Sequence, residues 1–213
     1  MPDRYPGYDV LSKRQTPSWN EQTRRVIDQR LAVPREPRFF TEHEFATVGV
    51  LANHIVPQPK HRPPIPVAPL VDTKLLEDKQ DGYRQEGMPR EREAWQRGIR
   101  ALDAEAESAH GGPFRALHAE QQLELMKRME KGDLHNPAWD GMPPKTFWEA
   151  RVLRDIIFAY WSHPIAWNEI GWGGPASPRG YVRLGFDQRD PWEAVEVKNG
   201  DVEAAERKNH RVG

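Results

Sequence analysis

The chain has 213 residues, with 31 lysines and arginines against 32 aspartates and glutamates, and no cysteine. That length suits one domain, or one domain with long arms, and the balanced charge gives no basic footprint for nucleic acid. Zero cysteine excludes a disulfide framework, a thiolate nucleophile, Cys-ligated zinc, an iron–sulfur cluster and haem attachment through Cys-x-x-Cys-His. Electron transfer through a complex that includes this chain is therefore expected to use a cofactor held by another chain. The 20 prolines and 8 tryptophans stand in a very hydrophilic chain of mean hydropathy −0.85. Proline-rich segments extend, and tryptophan favours a partner surface.

Residues 1–17, with Pro2, Pro6, Pro17, Tyr5 and Tyr8, read as an extended arm. Ser18-x-x-Glu21 is a capping box, followed by Trp19, Val26, Ile27 and Leu31, and predicts a short helix over 19–31. Thr41-x-x-Glu44 is a second box and the clearest helix start. Behind it Phe45, Val48, Leu51, Ala52 and Ile55 make one apolar stripe at helical spacing, which Pro57 ends. Six prolines then fall within 57–69, a polyproline-II pattern read as an arm lying on a surface. Val71, Leu75 and Leu76 predict a short helix over 70–81. Trp95, Ile99, Leu102 and Ala106 predict a longer one over 90–109, stopped by Gly111 and Gly112. Leu117, Leu123, Leu125, Met126 and Met129 predict a helix over 117–131, closed by Gly132. The most apolar helix is 145–162, with Phe147, Ala150, Leu153, Ile156, Ile157, Tyr160 and Trp161 on one face and Trp148, Val152 and Phe158 widening it. Such a helix is central or covered by a partner. From 163 the chain turns aromatic and glycine-rich. Tyr181 to Phe186 is the one strand candidate. The charged stretch 188–213 reads as a mobile tail, in which Asp190-Pro191-x-Glu193 can start a short helix. The class is all-α: a small bundle of about five helices with proline-rich arms and an irregular C-terminal region. The expected segments are an arm over 1–38, a helical domain over 39–178 and a charged tail over 179–213.

The opening MPDRYPGYDV has no basic stretch followed by an apolar one, so no secretory signal is expected. Arg24 and Arg25 resemble a twin-arginine signal, but charges and prolines break the segment after them. No apolar run approaches the roughly 18 residues of a membrane span. The expectation is a soluble or peripheral chain. It is cytoplasmic by default, or on the periplasmic face of the inner membrane where a partner carries the export signal.

The candidate chemistry is thin. His43 and His54 share a helix face but lie roughly 16 Å apart at the helical rise, too far to share a metal. His61 sits in the proline stretch, and a stand-alone metalloprotein would need a site such as one through His54 and His61. Glu107-x-x-His110 matches half of a di-iron signature, which needs a second copy and two further glutamates. The chain has no G-x-S-x-G, no H-E-x-x-H, no P-loop and no G-x-G-x-x-G after a strand. No catalytic, cofactor-binding or metal-ligating residue is therefore assigned.

The aromatic cluster is more informative. Five of the eight tryptophans lie between Trp139 and Trp172. Trp148 and the stripe after it read as core. Trp167 and Trp172, in a Gly/Pro segment, read equally as the capped end of the bundle or as anchors for a partner. The candidate partner-binding residues are Pro57, Pro63, Pro64 and Pro66 in the arm, with Trp161, His163, Trp167, Asn168, Glu169 and Trp172.

Several blocks, taken in order, carry a family resemblance. FFTEHEFATVGVLANHIVP (39–57) is a helix running into a proline. Asp72 falls at a short Val-Asp element, and a helix with Gly98 and Leu102 precedes GGPFRALHAEQQLELMKRME (111–130). FWEARVLRDIIFAYWSHPIAWNEIGWGGP (147–175) is a helix leading into a turn from Tyr160 to Pro164 and a Gly–Pro loop. Over about two-thirds of its length, 39–178, the chain resembles subunit 3 of the gluconate 2-dehydrogenase family. The resemblance implies a non-catalytic, all-helical small subunit without a cofactor. Its expected partner is a large FAD-dependent sugar or sugar-acid dehydrogenase of the glucose–methanol–choline type, with a cytochrome c as a possible third subunit. Its expected task is to stabilise the flavoprotein or assist its maturation. Many members carry a twin-arginine signal, which is not visible here. The alternatives are a stand-alone helical metal- or ligand-binding protein and a transient chaperone for a flavoprotein.

Overall fold

The structure is a computed structural model that describes residues 3–60, 62–78, 80–178, 180, 185 and 190–212. Among these, the α-helices are α1 (Glu21–Leu31), α2 (Glu42–Ile55), α3 (Val67–Leu76), α4 (Glu91–His110), α5 (Ala119–Lys131), α6 (Pro144–Phe147), α7 (Arg154–Ser162), α8 (Pro164–Trp167) and α9 (Val202–Asn209). A π-helical turn, Trp148–Leu153, joins α6 to α7 without a break. No strand occurs among the described residues, only an isolated bridge between Trp19 and Ser177. The class is therefore all-α, as the periodicity predicts. The chain divides into two units: Val33–Tyr160, and Met1–Ala32 together with Trp161–Gly213.

In the Val33–Tyr160 unit, α4 is the spine. It is long enough to meet α2, α5, α6 and the π-turn. It buries Ala94, Trp95, Gly98, Ile99, Ala101, Leu102 and Ala106 along one stripe. Gly111 ends it at φ +77°, a left-handed conformation that glycine takes at no steric cost. An aromatic row crosses this spine. Phe39 to Phe40, Phe40 to Trp95 and Trp95 to Phe147 meet edge-on at 5.0, 5.9 and 5.6 Å, and Trp139 tilts onto Phe147 at 5.9 Å. Edge-to-face contacts of this kind add about 0.5–1.5 kcal/mol each beyond their buried area. The Thr41 box forms as the sequence predicts, each partner accepting from the other's backbone N–H.

Buried polar side chains fasten the loops of this unit, because a polar group taken from water must find a partner. Asp72, on α3, accepts from the backbone N–H groups of Arg38, Phe39 and Phe40 at 2.9–3.0 Å, which fixes the entry to α2. Gln122, on α5, donates to the carbonyls of Phe114 and Leu117 and pairs with His54 of α2 at 2.8 Å. Glu105, on α4, accepts from the Asn136 N–H and from the Trp139 indole, so the loop after α5 lies against α4.

In the other unit, the two ends of the chain pack on the segment after α7. The Tyr8 hydroxyl donates to the Trp172 carbonyl, Asn168 Oδ1 accepts from the Val10 N–H, and Lys13 Nζ donates to the Gly173 carbonyl. Asn20 bonds Ser177 through both backbone and side chain. Asn209, buried on α9, donates to the carbonyls of Pro6 and Val195 and accepts from the Val195 N–H.

Several sequence expectations are corrected. Residues 1–17 are no free arm: they hold a 3-10 helix, Val10–Gln15, with Val10 and Lys13 buried. The last stretch is no bare mobile tail, since α9 buries Ala205 and Asn209, and Val212 is buried beyond it. Around Asp190 the chain closes one hydrogen-bonded turn with Glu193 and does not go on as a helix. The cap of α1 is Asn20, whose side chain accepts from Thr23, while Ser18 is buried just before it. Helix α3 spans Val67–Leu76 rather than 70–81. Pro69 sits in its first turn, where the N–H that proline lacks has no helical partner anyway. The proline stretch is a clipped loop and not an extended arm: Gln58 donates to the Ile65 carbonyl and accepts from the Ile65 N–H, with Ile65 and Pro66 buried. His61 and the strand candidate at 181–186, apart from Gly185, lie outside the described residues.

Candidate functional site

The π-turn lies inside the most apolar helix yet carries Arg151, which is only 1% exposed. Single π-turns within α-helices frequently mark functional sites. Arg151 faces a cluster of carboxylates drawn from three elements. It contacts Asp81 at 3.0 Å and Glu91 at 3.3 Å, with Asp155 at 4.0 Å. Lys74, from α3, reaches the same three acids at 3.4, 3.0 and 2.8 Å. Arg154 adds a contact to Asp81 at 3.2 Å. The cluster thus pairs three cations with three carboxylates. Trp95 donates its indole N–H to Asp155 at 2.7 Å, tying the cluster to the aromatic row.

The surroundings shift these groups in opposite directions. Burial raises the pKa of Asp155 above the usual carboxylate value, and the Lys74 ammonium, the Trp95 N–H and Arg151 offset this only in part. Burial alone would lower the pKa of Lys74, but the Asp155 and Glu91 carboxylates outweigh it and hold it above its ordinary value. For Asp81, burial is outweighed by the Arg151 hydrogen bond and by Lys74 and Arg154, so its pKa falls. The geometry agrees: Asp81 meets three cations near the surface, whereas Asp155 lies deepest.

Above the cluster, the loop between α3 and α4 presents Tyr83, 55% exposed. Arg154 donates to its hydroxyl and lies over its ring at 5.0 Å, and over the Phe158 ring at 5.5 Å. Phe158 is 63% exposed on α7. Two cavities flank Tyr83. One, about 340 Å³, is lined by Gln80, Gly82, Arg84, Pro89, Arg90, Glu91 and Arg151 as well as Tyr83. The other, about 300 Å³, is lined by Gln85, Thr146, Glu149, Ala150 and Arg154. Two N–H groups of the π-turn, Trp148 Nε1 and Arg151 Nε, are buried without a hydrogen-bond partner.

The residues singled out by sequence fall in both units and differ in exposure. Pro57, Pro63 and Pro64 are exposed and Pro66 is buried. His163 is buried, and Trp167 is 2% exposed, with its indole donating to the Trp161 carbonyl at 2.6 Å. Trp172 packs edge-on against Trp167 at 4.6 Å and stays 40% exposed. Trp161 is exposed, and Asn168 and Glu169 are half-buried. Of the two readings of the aromatic segment, Trp167 takes the core one. The histidines go separate ways: His43 pairs with Asp103 at 2.6 Å and accepts from Arg115, His54 pairs with Gln122, and His110 lies 3.8 Å from Glu124. Among the described residues no group of three or more His, Asp or Glu side chains could hold a metal ion, and no helix is long and apolar enough to cross a membrane.

Sequence reasoning missed the ion cluster, although a signal was present. Arg151, Arg154 and Asp155 interrupt a helix that is apolar nearly all round, and charges in such a helix must be paired.

An all-helical unit with paired charges under an exposed aromatic loop defines a small helical scaffold. The model of one family, described as Gluconate 2-dehydrogenase subunit 3, matches residues 42–174. The chain belongs to that family. No curated protein and no solved structure matches the chain.

Proposed function

We propose that this chain is the non-catalytic small subunit of a dehydrogenase complex. In this reading it binds and stabilises an FAD-dependent sugar or sugar-acid dehydrogenase, or assists its maturation. The observation that carries the proposal is the family match over 42–174, the family being named for a dehydrogenase subunit. Two further features support it. The charged groups gathered at the π-turn are engaged largely with one another, as in a scaffold. The sequence offers no Gly-rich dinucleotide cradle, which supports placing the flavin in the partner.

Co-expression with an FAD-dependent dehydrogenase subunit from the same source tests the proposal. The expected outcome is a complex of fixed stoichiometry that keeps its flavin, and a flavoprotein that loses flavin or solubility when expressed alone. A flavoprotein equally soluble, loaded and active without this chain would end the reading. Release of the chain once the flavoprotein has matured would favour the chaperone alternative.

A further inference from the structure

Of the six asparagines in the chain, Asn199 alone is followed by glycine. Asn199 and Gly200 form the tip of the turn that leads into α9. They lie at φ +53° and +77°, the left-handed pair that a type I′ turn needs, and the Asp201 N–H donates to the Lys198 carbonyl at 3.0 Å to close it. Both residues are exposed. The Asn199 side-chain amide and the Gly200 N–H have no hydrogen-bond partner among the described residues, and nothing lies within 4 Å of where a Cβ on Gly200 would stand. The other five asparagines are held or blocked. Asn20 and Asn168 accept from the backbone N–H groups of Thr23 and Val10. Asn209 is buried and bonded on both sides of its amide. Asn136 precedes a proline, which has no N–H. Asn53 lies inside α2, where the next backbone N–H is engaged along the helix.

We propose that Asn199 is a site of spontaneous deamidation, and that the isoaspartate formed there unfastens α9. Hydroxide from solvent removes the Gly200 amide proton. The Gly200 nitrogen attacks Cγ of Asn199, so an N–Cγ bond forms and the Cγ–Nδ2 bond breaks. Nδ2 leaves as ammonia, taking its third hydrogen from water. A second water then opens the five-membered imide. Opening at Cγ leaves aspartate, and opening at the main-chain carbonyl carbon of residue 199 leaves isoaspartate. Ring closure needs the Asn199 backbone to rotate out of the turn. An exposed turn closed by one hydrogen bond opens at little cost, and glycine puts no side chain in the way. The two Asp-Gly pairs are poorer sites, because an ionised carboxylate resists attack. Asp81 is held by Arg151 and Lys74, and Asp140 by Arg97 at 3.2 Å. Isoaspartate adds one carbon to the main chain between residues 199 and 200, so the Lys198–Asp201 bond no longer closes the same ring. Asp201 is the cap of α9, accepting from the Ala204 N–H, and α9 carries the Asn209 that holds Pro6 and Val195. None of this rests on the reading of the chain as a subunit.

The test ages the full folded chain at neutral and at mildly alkaline pH and maps its peptides by mass spectrometry. The amide-to-acid mass gain is expected at Asn199 before any other asparagine, and faster at the alkaline pH. Labelling by an isoaspartyl methyltransferase should show isoaspartate in the product. In the aged chain the amides of α9 should exchange with solvent about fivefold faster, the factor that one lost helix cap gives, while those of α4 keep their rate. Asn199→Gly keeps a residue suited to the left-handed turn and has no amide to lose, so it should show neither change after the same incubation. Several results overturn the inference. One is a chain that deamidates at Asn199 in urea and not when folded, and another is an earlier mass gain at a different asparagine. Aspartate as the sole product removes the imide route. Fresh and aged chains with equal exchange in α9, or an Asn199→Gly chain whose α9 loosens just as much on ageing, remove the link to the helix.

Discussion

Gly98 offers a test of the core that the packing makes quantitative. It lies in the middle of α4, where alanine would normally be preferred by about 1 kcal/mol. A Cβ at Gly98 would stand 2.2 Å from Cζ of Phe147 and 2.5 Å from both its Cε atoms. Ordinary contact begins near 3.4 Å, so the ring would have to move by more than an ångström. It has no room to do so. Phe147 is fully buried, with Trp95 at 5.6 Å and Trp139 at 5.9 Å. Overpacking a dense core costs about 1–3 kcal/mol. A shift of more than an ångström in a fully buried ring puts the steric cost at the upper end, about 2–3 kcal/mol, so after the propensity gain Gly98→Ala should lose about 1–2 kcal/mol. For a chain of this size that is a fall in Tm of about 2–8 °C.

Gly49 is the control. It lies inside α2 with nothing within 4 Å of its would-be Cβ, so Gly49→Ala should gain up to about 1 kcal/mol. The same chemical change is thus expected to have opposite signs at the two sites. Urea unfolding followed by circular dichroism measures both. In Gly98→Ala/Phe147→Leu the smaller side chain relieves the clash, so the two costs should sum to less than the singles by about 0.5 kcal/mol or more. A Gly98→Ala chain as stable as the wild type would refute the packing argument.

The charges carry two further predictions. Lys74→Met leaves Asp155 and Glu91 without their ammonium and should cost about 3 kcal/mol, the lower end for a broken buried pair because Lys74 keeps some exposure. The folded pKa of Lys74 is raised above 10.5, so its contribution is complete below that pH and is lost as pH rises through the folded value. That of Asp81 is lowered from 3.8, so its contribution is present above 3.8 and lost as pH falls through the folded value. The deficit of Lys74→Met should therefore be widest below the folded value of Lys74 and above the acid range in which Asp155, its pKa raised by burial, takes a proton, and a deficit independent of pH in chemical denaturation would contradict the cluster. Tyr8 is the alkaline counterpart in the other unit. Burial raises its pKa above 10.0, so the unfolded chain ionises first and the fold loses stability above about pH 10. Tyr8→Phe should move the alkaline midpoint upward, and an unmoved midpoint in an ultraviolet tyrosine titration would assign the transition to another group.

Helix limits are legible where a local signal sets them. The Thr41 box, Gly111 and Gly132 act through their own backbone neighbours, so α2, α4 and α5 fall close to the predicted ranges. The fate of the terminal segments is not legible, because it depends on contacts far apart in sequence. Nothing local in MPDRYPGYDV says that Val10 will meet Asn168, or that Asn209 will close on Pro6. The proline stretch misleads for a related reason. Composition favours an extended arm, but one side chain, Gln58, turns it into a loop. At the candidate site only one part of the ion cluster, Arg151, Arg154 and Asp155 in an apolar helix, leaves a signal in the sequence, since Lys74, Asp81 and Glu91 belong to separate segments with no common spacing.

The low hydropathy of the chain and its well-filled core are reconciled by what the buried tryptophans require. An indole N–H removed from water needs an acceptor. Trp95 takes Asp155, Trp139 takes Glu105, and Trp167 takes the Trp161 carbonyl, whereas the buried Trp19 and Trp148 leave their indole N–H groups without an acceptor. Two of these acceptors are carboxylates, and each serves a second donor: Lys74 for Asp155, the Asn136 backbone for Glu105. Asp72 acts in the same way without a tryptophan, holding three backbone N–H groups. Some of the residues that make the chain look hydrophilic are therefore core residues by position. Burial and charge thus separate two roles that composition merges. The acids that accept indole or backbone N–H groups hold the fold. Arg84 and Arg90, by contrast, stay exposed around Tyr83.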